Sequence, residues 1–141
     1  RQLELAGEVK KPVIIHSREA AADTMYIMKN YAQGLDGVIH CYSYSREMAE
    51  EYVKMGFYIG IGGVVTFKNA KKLKDVAAAI PIEKIVLETD CPYMAPEPYR
   101  GKRNQSSYIR YVAEKIAELK EMSQEEVIAV TEKNARDLYG I

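Results

Sequence analysis

The chain has 141 residues, of which 48% are hydrophobic, and this is enough for one domain with a packed core. Lys and Arg together equal Asp and Glu at 20 each, so composition excludes a strong overall field toward nucleic acid or membranes. Two cysteines, no twenty-residue apolar run and no signal-peptide pattern indicate a cytoplasmic protein in a reducing compartment, with no membrane partner.

The first segment, RQLELAGEVKKP, has the pattern of an amphipathic helix that is already under way. No capping residue precedes its first apolar positions, Leu3 and Leu5, and there is no initiator methionine. We interpret this start as a position inside a larger protein.

From residue 12 onward, short apolar strands alternate four times with helical patterns. The strands are predicted at 12–15, 37–40, 57–62 and 85–89. The helices that follow them are predicted at 18–32, 45–55, 69–79, 106–120 and 124–139. The expected N-caps are Ser17, Ser45, Asn69 and Ser123, the last with Glu126 in capping-box spacing. The expected stops after the first three helices are Gly34, Gly56 and Pro81.

This alternation predicts a parallel sheet, because parallel neighbours need crossover connections and helices provide them. The strands are apolar on both sides, as expected when both faces of a sheet are buried. Eight such units would give the roughly 250 residues of a closed (β/α)₈ barrel, and this chain has four. We therefore predict that residues 1–141 form a single partial domain of the α/β class, half of a TIM barrel. A missing half or a second copy of the chain is expected to cover its open edges.

Three side chains that can bind metal stand at the C-terminal ends of these strands. PVIIH ends at His16, GVIH ends at His40, and IVLETD ends at Asp90. A parallel barrel gathers the C-terminal ends of its strands on one face, so ligands far apart in sequence can converge. This arrangement favours a hydrolase that depends on a divalent metal, whereas a hydrogen-bonded structural histidine is the alternative for each histidine taken alone.

Side-chain alternation along the strands assigns roles to the neighbouring residues. Glu88 shares a face with Asp90 but lies two residues deeper, where a carboxylate is better placed to orient a histidine or pair with a cation than to bind metal. Cys41 and Cys91 each follow a proposed ligand directly. We therefore predict that their thiols point away from the metal and pack as structural groups.

The segment PYMAPEPYRGKRN, which follows Asp90, is the predicted substrate-binding loop. Guanidinium and ammonium groups match phosphate oxygens, so a local cluster can bind a polyanion even when the net charge is zero. A solvated basic loop is the alternative. The candidate substrate-binding residues here are Arg100, Lys102, Arg103 and the neutral donor Asn104.

Two further features lie near the expected site. Arg18 follows His16 closely and could contact phosphate or pair with a carboxylate such as Glu88. Gly60, Gly62 and Gly63 allow close approach to the backbone, which suits either phosphate binding or a tight turn.

Several segments together resemble successive signatures of the TatD family of metal-dependent deoxyribonucleases, within the amidohydrolase superfamily. They are PVIIHSREA, GVIHCYSYS, YIGIGG, VLETDCPYMAPEPYRGKRN and NARDLYGI, and they span essentially the whole chain. The resemblance implies that the four strands are strands 5 to 8 of the barrel, so that the chain is its C-terminal half. It also implies that His16, His40 and Asp90 are metal ligands, and that Asp90 additionally accepts a proton as the catalytic base.

The resemblance also identifies elements that this chain lacks, namely the family's His-x-His on the first strand and its glutamate after the fourth strand. We therefore expect the 141-residue chain alone to be inactive. The parent protein is expected to cleave phosphodiester bonds in DNA as an exonuclease, using water activated by one or two divalent ions, Mg²⁺, Mn²⁺ or Zn²⁺. Gln105 and Ser106 replace the Glu-Pro that the family commonly has in the loop, which leaves the loop geometry open.

Two alternative functions are open at this point. In the first, the fold and the metal are the same but the bond that is hydrolysed is an amide or ester, as in an aminoacyl-tRNA deacylase. The second is a non-catalytic half-barrel that acts as an assembly module.

Overall fold

The structure, a computed structural model, describes all residues from 1 to 141. In chain order the elements are α1 (Gln2–Val9), β1 (Val13–His16), α2 (Ala21–Tyr31), β2 (Gly37–His40), α3 (Arg46–Lys54), β3 (Tyr58–Ile61), α4 (Lys71–Ala79), β4 (Ile85–Leu87), α5 (Ile109–Lys120) and α6 (Gln124–Tyr139). Short 3₁₀ turns occupy Gly63–Thr66, Ile82–Lys84 and Ser106–Tyr108. None of the helices combines the length and the apolar character needed to cross a membrane.

The four strands form one parallel sheet whose spatial order follows the chain, β1-β2-β3-β4. β1 and β2 pair residue for residue, so that His16 lies beside His40. β3 separates β2 from β4, and Gly60 on β3 is paired with Val86 on β4. The predicted α/β class and parallel sheet are confirmed.

The main core lies between one face of the sheet and the helices. Fully buried side chains come from the strands, such as Ile39 and Ile59, and from the helices, such as Tyr52, Val76 and Ile116. Burying each large apolar side chain contributes about 1.5–3 kcal/mol, so this one-sided core is the main source of stability.

The other face of the sheet is only partly covered. Val38, Val86 and Leu138 form a small cluster there, but Ile14 on β1 is 61% exposed. Alternation along β1 places His16 on this same face. The expectation that both faces are buried is confirmed for β2 and β3. It is wrong for β1, which stands at the edge of the sheet and whose Ile14 no other element covers.

Two helix starts follow the predicted capping. The Ser45 side chain accepts a hydrogen bond from the backbone N–H of Met48 at the start of α3. Ser123 and Glu126 form a complete capping box at the start of α6, with each side chain bonded to the other's backbone N–H. Such caps stabilise a helix by about 0.5–2 kcal/mol because they satisfy N–H groups that have no partner inside the helix.

The two other predicted caps are wrong. α2 begins at Ala21 and not at residue 18, and α4 begins at Lys71 and not at residue 69. Neither start has a side-chain cap. The Ser17 hydroxyl is buried and bonds instead to the hydroxyls of Thr24 and Tyr44, at 2.7 and 2.8 Å. Ser17 therefore links β1 to the segment after β2 rather than starting a helix.

Asn134, in the closing NARDLYGI segment, fastens α6 to the sheet. Its side chain is buried, and its amide nitrogen donates to the backbone oxygens of Ile82 and Ile85, both at 2.8 Å. These oxygens flank the start of β4. The contact therefore sets where β4 begins, and with it the position of the residues at the far end of that strand.

Replacing Asn134 with alanine should lower the free energy of unfolding by about 2 kcal/mol or more, because two buried carbonyl oxygens lose their donor. Chemical denaturation of the purified chain measures this change. Lys133→Ala on the same helix is the matched control, since it removes only an exposed ion pair and should change stability by less than about 1 kcal/mol. Equal effects of the two substitutions would contradict the anchoring role of Asn134.

Candidate metal centre

The ends of β1, β2 and β4 bring His16, His40 and Asp90 to one mouth of the sheet. The imidazole rings of His16 and His40 have centroids 6.0 Å apart, as their paired positions require. Asp90 lies just beyond β4, and its Oδ1 is 3.0 Å from Nε2 of His40. Three side chains from three separate βα units therefore meet at the C-terminal edge, as the strand pattern predicts.

Glu88 lies beneath this mouth and holds the other side of the His40 ring. Its Oε2 is 2.9 Å from Nδ1 of His40, and its Oε1 accepts the backbone N–H of Cys41. The Glu88 side chain is only 17% exposed. The contact of Glu88 with Nδ1 is the one that a carboxylate makes when it orients a metal-binding histidine. It leaves Nε2 of His40 facing Asp90. The functional role of Glu88 stays a prediction.

Gly60 provides the space for this contact. β3 runs between His40 on β2 and Glu88 beyond β4, and a Cβ atom on Gly60 would stand 2.4 Å from Oε2 of Glu88. A side chain at this position would have to displace the Glu88 carboxylate. The close approach of Glu88 thus explains why a glycine stands inside a buried strand. From the sequence alone we interpreted Gly60 only as suited to phosphate binding or to a tight turn.

The two carboxylates and the buried setting shift the acid-base properties of the site. Burial raises the pKa of Glu88 above its usual range, against the opposing effects of His40 and the Cys41 N–H. Burial lowers the pKa of His40, but hydrogen bonds and charges from Glu88 and Asp90 outweigh it, and the net pKa is raised. The protonated form of His40 is thus favoured, because a carboxylate lies on each side of the ring. A metal ion at Nε2 would have to replace the proton there.

The donor set fits one side of a divalent metal site. Imidazole nitrogen and carboxylate oxygen are accepted ligands of Zn²⁺ and Mn²⁺, and carboxylate oxygen of Mg²⁺. His16, His40 and Asp90 are the residues that would hold the ion. Within the chain, no group of three or more His, Cys, Asp and Glu side chains is arranged so that it could hold a metal ion. His16, His40 and Asp90 therefore do not form a complete metal site by themselves.

A cleft of about 290 Å³ adjoins the candidate ligands. Its lining includes His16 and Asp90, together with Arg18, Cys41 and Met94. The Arg18 side chain is exposed and forms no ion pair, so the alternative in which it pairs with Glu88 is not observed. A free guanidinium at the edge of a cleft suits an anionic ligand.

The two cysteines differ from their predicted placement. Cys41 has a left-handed backbone conformation, with φ of 48°, because the chain turns as it leaves β2. Strand alternation therefore no longer applies, and the Cys41 thiol lies against Asp90 instead of pointing away. Burial, followed by the charge of Asp90, raises the pKa of this thiol to about 12, which keeps it protonated and disfavours metal binding. Cys91 is exposed rather than packed, with its Sγ 3.7 Å from the Ser106 hydroxyl.

The basic residues Arg100, Lys102 and Arg103 lie on the same loop as Met94, which lines the cleft. Arg100, Lys102 and Arg103 are exposed, and none of them lines the cleft or forms an ion pair. The guanidinium carbon of Arg100 lies 4.3 Å from the centroid of the Phe67 ring, a cation–π contact that restrains the side chain. The three cationic side chains are thus on the surface, and their contact with substrate stays a prediction.

Asn104 is placed differently from the expectation that it offers a free donor to substrate. The residue is only 4% exposed. Its amide nitrogen donates to the backbone oxygen of Tyr93 at 2.7 Å, and its side-chain oxygen accepts the backbone N–H of Gln105 at 2.8 Å. Both polar ends are used inside the loop, so Asn104 braces the loop and is not presented to solvent.

Comparisons with known proteins match this chain to one family. The family model described as TatD related DNase matches residues 1–140. The uncharacterized metal-dependent hydrolase YabD of Bacillus subtilis is 51% identical over 141 residues, covering 99% of this chain and 55% of the relative. The 3′-5′ ssDNA/RNA exonuclease TatD of Citrobacter rodentium is 32% identical, covering 99% of this chain and 56% of the relative.

Solved structures show the same relation. YJJV, a TatD homologue from Escherichia coli, superposes with a TM-score of 0.89 at 31% identity, covering 99% of this chain and 54% of that protein. A TatD family hydrolase from Entamoeba histolytica superposes with a TM-score of 0.84 at 24% identity, covering 97% and 54%, which shows a shared fold. The chain spans about half the length of the curated relatives and solved structures that it matches.

Substituting Gly60 with alanine should weaken divalent-metal binding by about 10- to 100-fold, because the new Cβ displaces Glu88 from His40. Calorimetric titration of the chain with Zn²⁺ measures the affinity. Gly7→Ala is the matched control, since its added Cβ meets only Leu35 at 3.4 Å and lies away from the mouth. If Gly60→Ala bound Zn²⁺ as tightly as the unsubstituted chain, Glu88 would have no part in positioning His40.

Proposed function

The chain belongs to the TatD-related DNase family, and we propose that it supplies one wall of the active site of a metal-dependent nuclease that cleaves DNA. The observation that carries this proposal is His40, held between the carboxylates of Glu88 and Asp90 at the C-terminal edge of a parallel sheet. Relatives named as metal-dependent hydrolases support the requirement for a divalent ion, and we propose one or two of Mg²⁺, Mn²⁺ or Zn²⁺.

The ligand residues have distinct tasks in this proposal. A bound divalent ion acts as a Lewis acid and lowers the pKa of water toward about 7. His40 would bind the ion through Nε2, since Glu88 engages its Nδ1, and His16 would offer a second imidazole beside it. Asp90 has two oxygens, so it can bind metal with one and accept the proton of the attacking water with the other.

The substrate side of the proposal rests on unpaired cations. Arg18 lines the cleft, and the exposed Arg100, Lys102 and Arg103 belong to the loop that contributes Met94 to it. We propose that they contact the phosphates of a DNA strand. The name of the Citrobacter rodentium relative, a 3′-5′ ssDNA/RNA exonuclease, supports an exonuclease that acts on single strands.

We further propose that the chain corresponds to strands 5 to 8, the C-terminal half, of a TIM barrel. Supporting this, one face of the sheet is uncovered at β1, where Ile14 is exposed, and β1 and β4 each have an unpaired edge. An N-terminal half, or else a second copy of this chain, would pair with those edges and close the metal site. The two free cysteines fit a cytoplasmic location for the complete protein.

The test joins this chain to the N-terminal half of the Bacillus subtilis relative, which is 51% identical over the shared region. We expect the completed barrel to degrade end-labelled single-stranded DNA with Mn²⁺ or Mg²⁺, and EDTA to abolish the reaction. Asp90→Asn should lower kcat by about 10²- to 10⁴-fold, since the amide cannot accept the proton. Glu132→Gln, on the exposed surface of α6, should leave the rate unchanged.

The 141-residue chain alone, assayed in parallel, should show no cleavage above the buffer rate, because it does not enclose a metal ion. Cleavage by the isolated chain at the rate of the completed barrel would contradict the half-site proposal. A completed barrel that hydrolyses N-acyl or aminoacyl esters but leaves DNA intact with every divalent ion would overturn the nuclease assignment.

A further inference from the structure

Tyr93 is an unusually exposed residue on a turn whose two ends line the cleft. The residue is 73% exposed, more than any of the other ten tyrosines. It lies in the turn between Asp90 and Met94, both of which line the cleft. A large ring left in water at this position has no role in the core.

The backbone of Tyr93 is nevertheless firmly held. Its N–H donates to the backbone oxygen of Asp90, and its own oxygen accepts from the buried Asn104 amide, both at 2.7 Å. The Asn104 N–H also donates to the oxygen of Pro92 at 2.9 Å. An exposed ring on a fixed backbone loses little conformational entropy when it binds a ligand, since only two side-chain torsions remain free.

The other tyrosines of this region are packed against each other. Tyr99 and Tyr108 stack with ring centroids 4.3 Å apart and an interplanar angle of 5°, and Tyr111 lies 5.5 Å from Tyr99. Tyr93 takes no part in this cluster and makes no aromatic or cation–π contact. Three half-buried rings therefore pack against one another, and the Tyr93 ring is left without an aromatic partner.

The charges near Tyr93 indicate the kind of ligand. Arg18 in the cleft and Lys102 and Arg103 on the loop are unpaired cations that suit a phosphate backbone. A flat apolar ring beside a phosphate-binding surface is the combination that binds single-stranded nucleic acid, where bases are free to stack on aromatic side chains. In a duplex the bases are already stacked and could not reach the ring.

We propose that Tyr93 stacks on a nucleobase of a single-stranded nucleic acid whose phosphate occupies the adjacent cleft. This inference rests on the proposed nuclease function, because both use the same cleft. Stacking on a tyrosine tolerates any base, so Tyr93 selects for an unpaired base rather than for a sequence. Asn104 acts as a positioning residue, since it fixes the backbone that carries the ring.

The first test compares two fluorescein-labelled probes by anisotropy, in EDTA: an oligo(dT) strand and an abasic strand of equal length. Tyr93→Ala should weaken binding of oligo(dT) by about 5- to 150-fold and leave binding of the abasic strand unchanged. Tyr93→Phe keeps the ring and should bind both probes like the unsubstituted chain. Equal losses for both probes, or no loss for oligo(dT), would overturn the stacking role while leaving the nuclease proposal standing.

The second test uses the absence of tryptophan from this chain. Tyr93→Trp introduces a single tryptophan at the proposed contact, and Tyr26→Trp places one at a similarly exposed position on α2, away from the cleft. Oligo(dT) should quench the first and not the second. If anisotropy showed binding but the tryptophan at position 93 were not quenched, the stacking proposal would be refuted and the nuclease proposal would stand. If the unsubstituted chain bound neither probe, both the stacking and the nucleic-acid function proposed for this chain would fail.

Discussion

The candidate site depends on the His40 imidazole, which is held between the carboxylates of Glu88 and Asp90. These residues come from strands that are not neighbours, so the contact must pass the strand between them. Gly60 makes that passage possible because it carries no side chain. The His40 ring thereby has a fixed orientation, because Glu88 contacts its Nδ1 and leaves its Nε2 at the mouth of the sheet, beside Asp90.

The parallel topology explains why the site is at one edge and why it is open. Each βα unit delivers the end of its strand to the same edge, and the register between β1 and β2 sets the two histidines side by side. Most of the core lies on the face of the sheet that carries Ile39 and Ile59. On the other face, Leu138 of α6 covers the middle of the sheet, whereas Ile14 at the β1 edge is exposed. The candidate ligand His16, on the same face of β1 as Ile14, is therefore left exposed.

Features that depend on local sequence were predictable. Strand 37–40 and helix 124–139 are observed as predicted, because apolar runs and a capping box act over a few residues. The convergence of His16, His40 and Asp90 followed from the parallel arrangement, which is a property of the strand–helix alternation.

Features that depend on contacts between distant segments were not predictable. The burial of Asn104 requires the turn at Tyr93 to lie against it, and the space above Gly60 matters only once Glu88 is known to cross β3. Cys41 was misplaced because its left-handed backbone breaks the alternation on which the prediction relied. In each case the sequence showed the residue type, but the partner lay elsewhere in the fold.

The central claim is that His40 is held by Glu88 so that Nε2 is available to a metal. The chain has two histidines, so long-range ¹⁵N–¹H NMR of the imidazole nitrogens, recorded during Zn²⁺ titration, tests it most directly. The account predicts that in the zinc-bound chain Nδ1 of His40 carries the proton, and that the Nε2 signal of His40 and one nitrogen of His16 move on binding. A His40 that binds Zn²⁺ through Nδ1, or two imidazoles that do not respond to Zn²⁺, would contradict it.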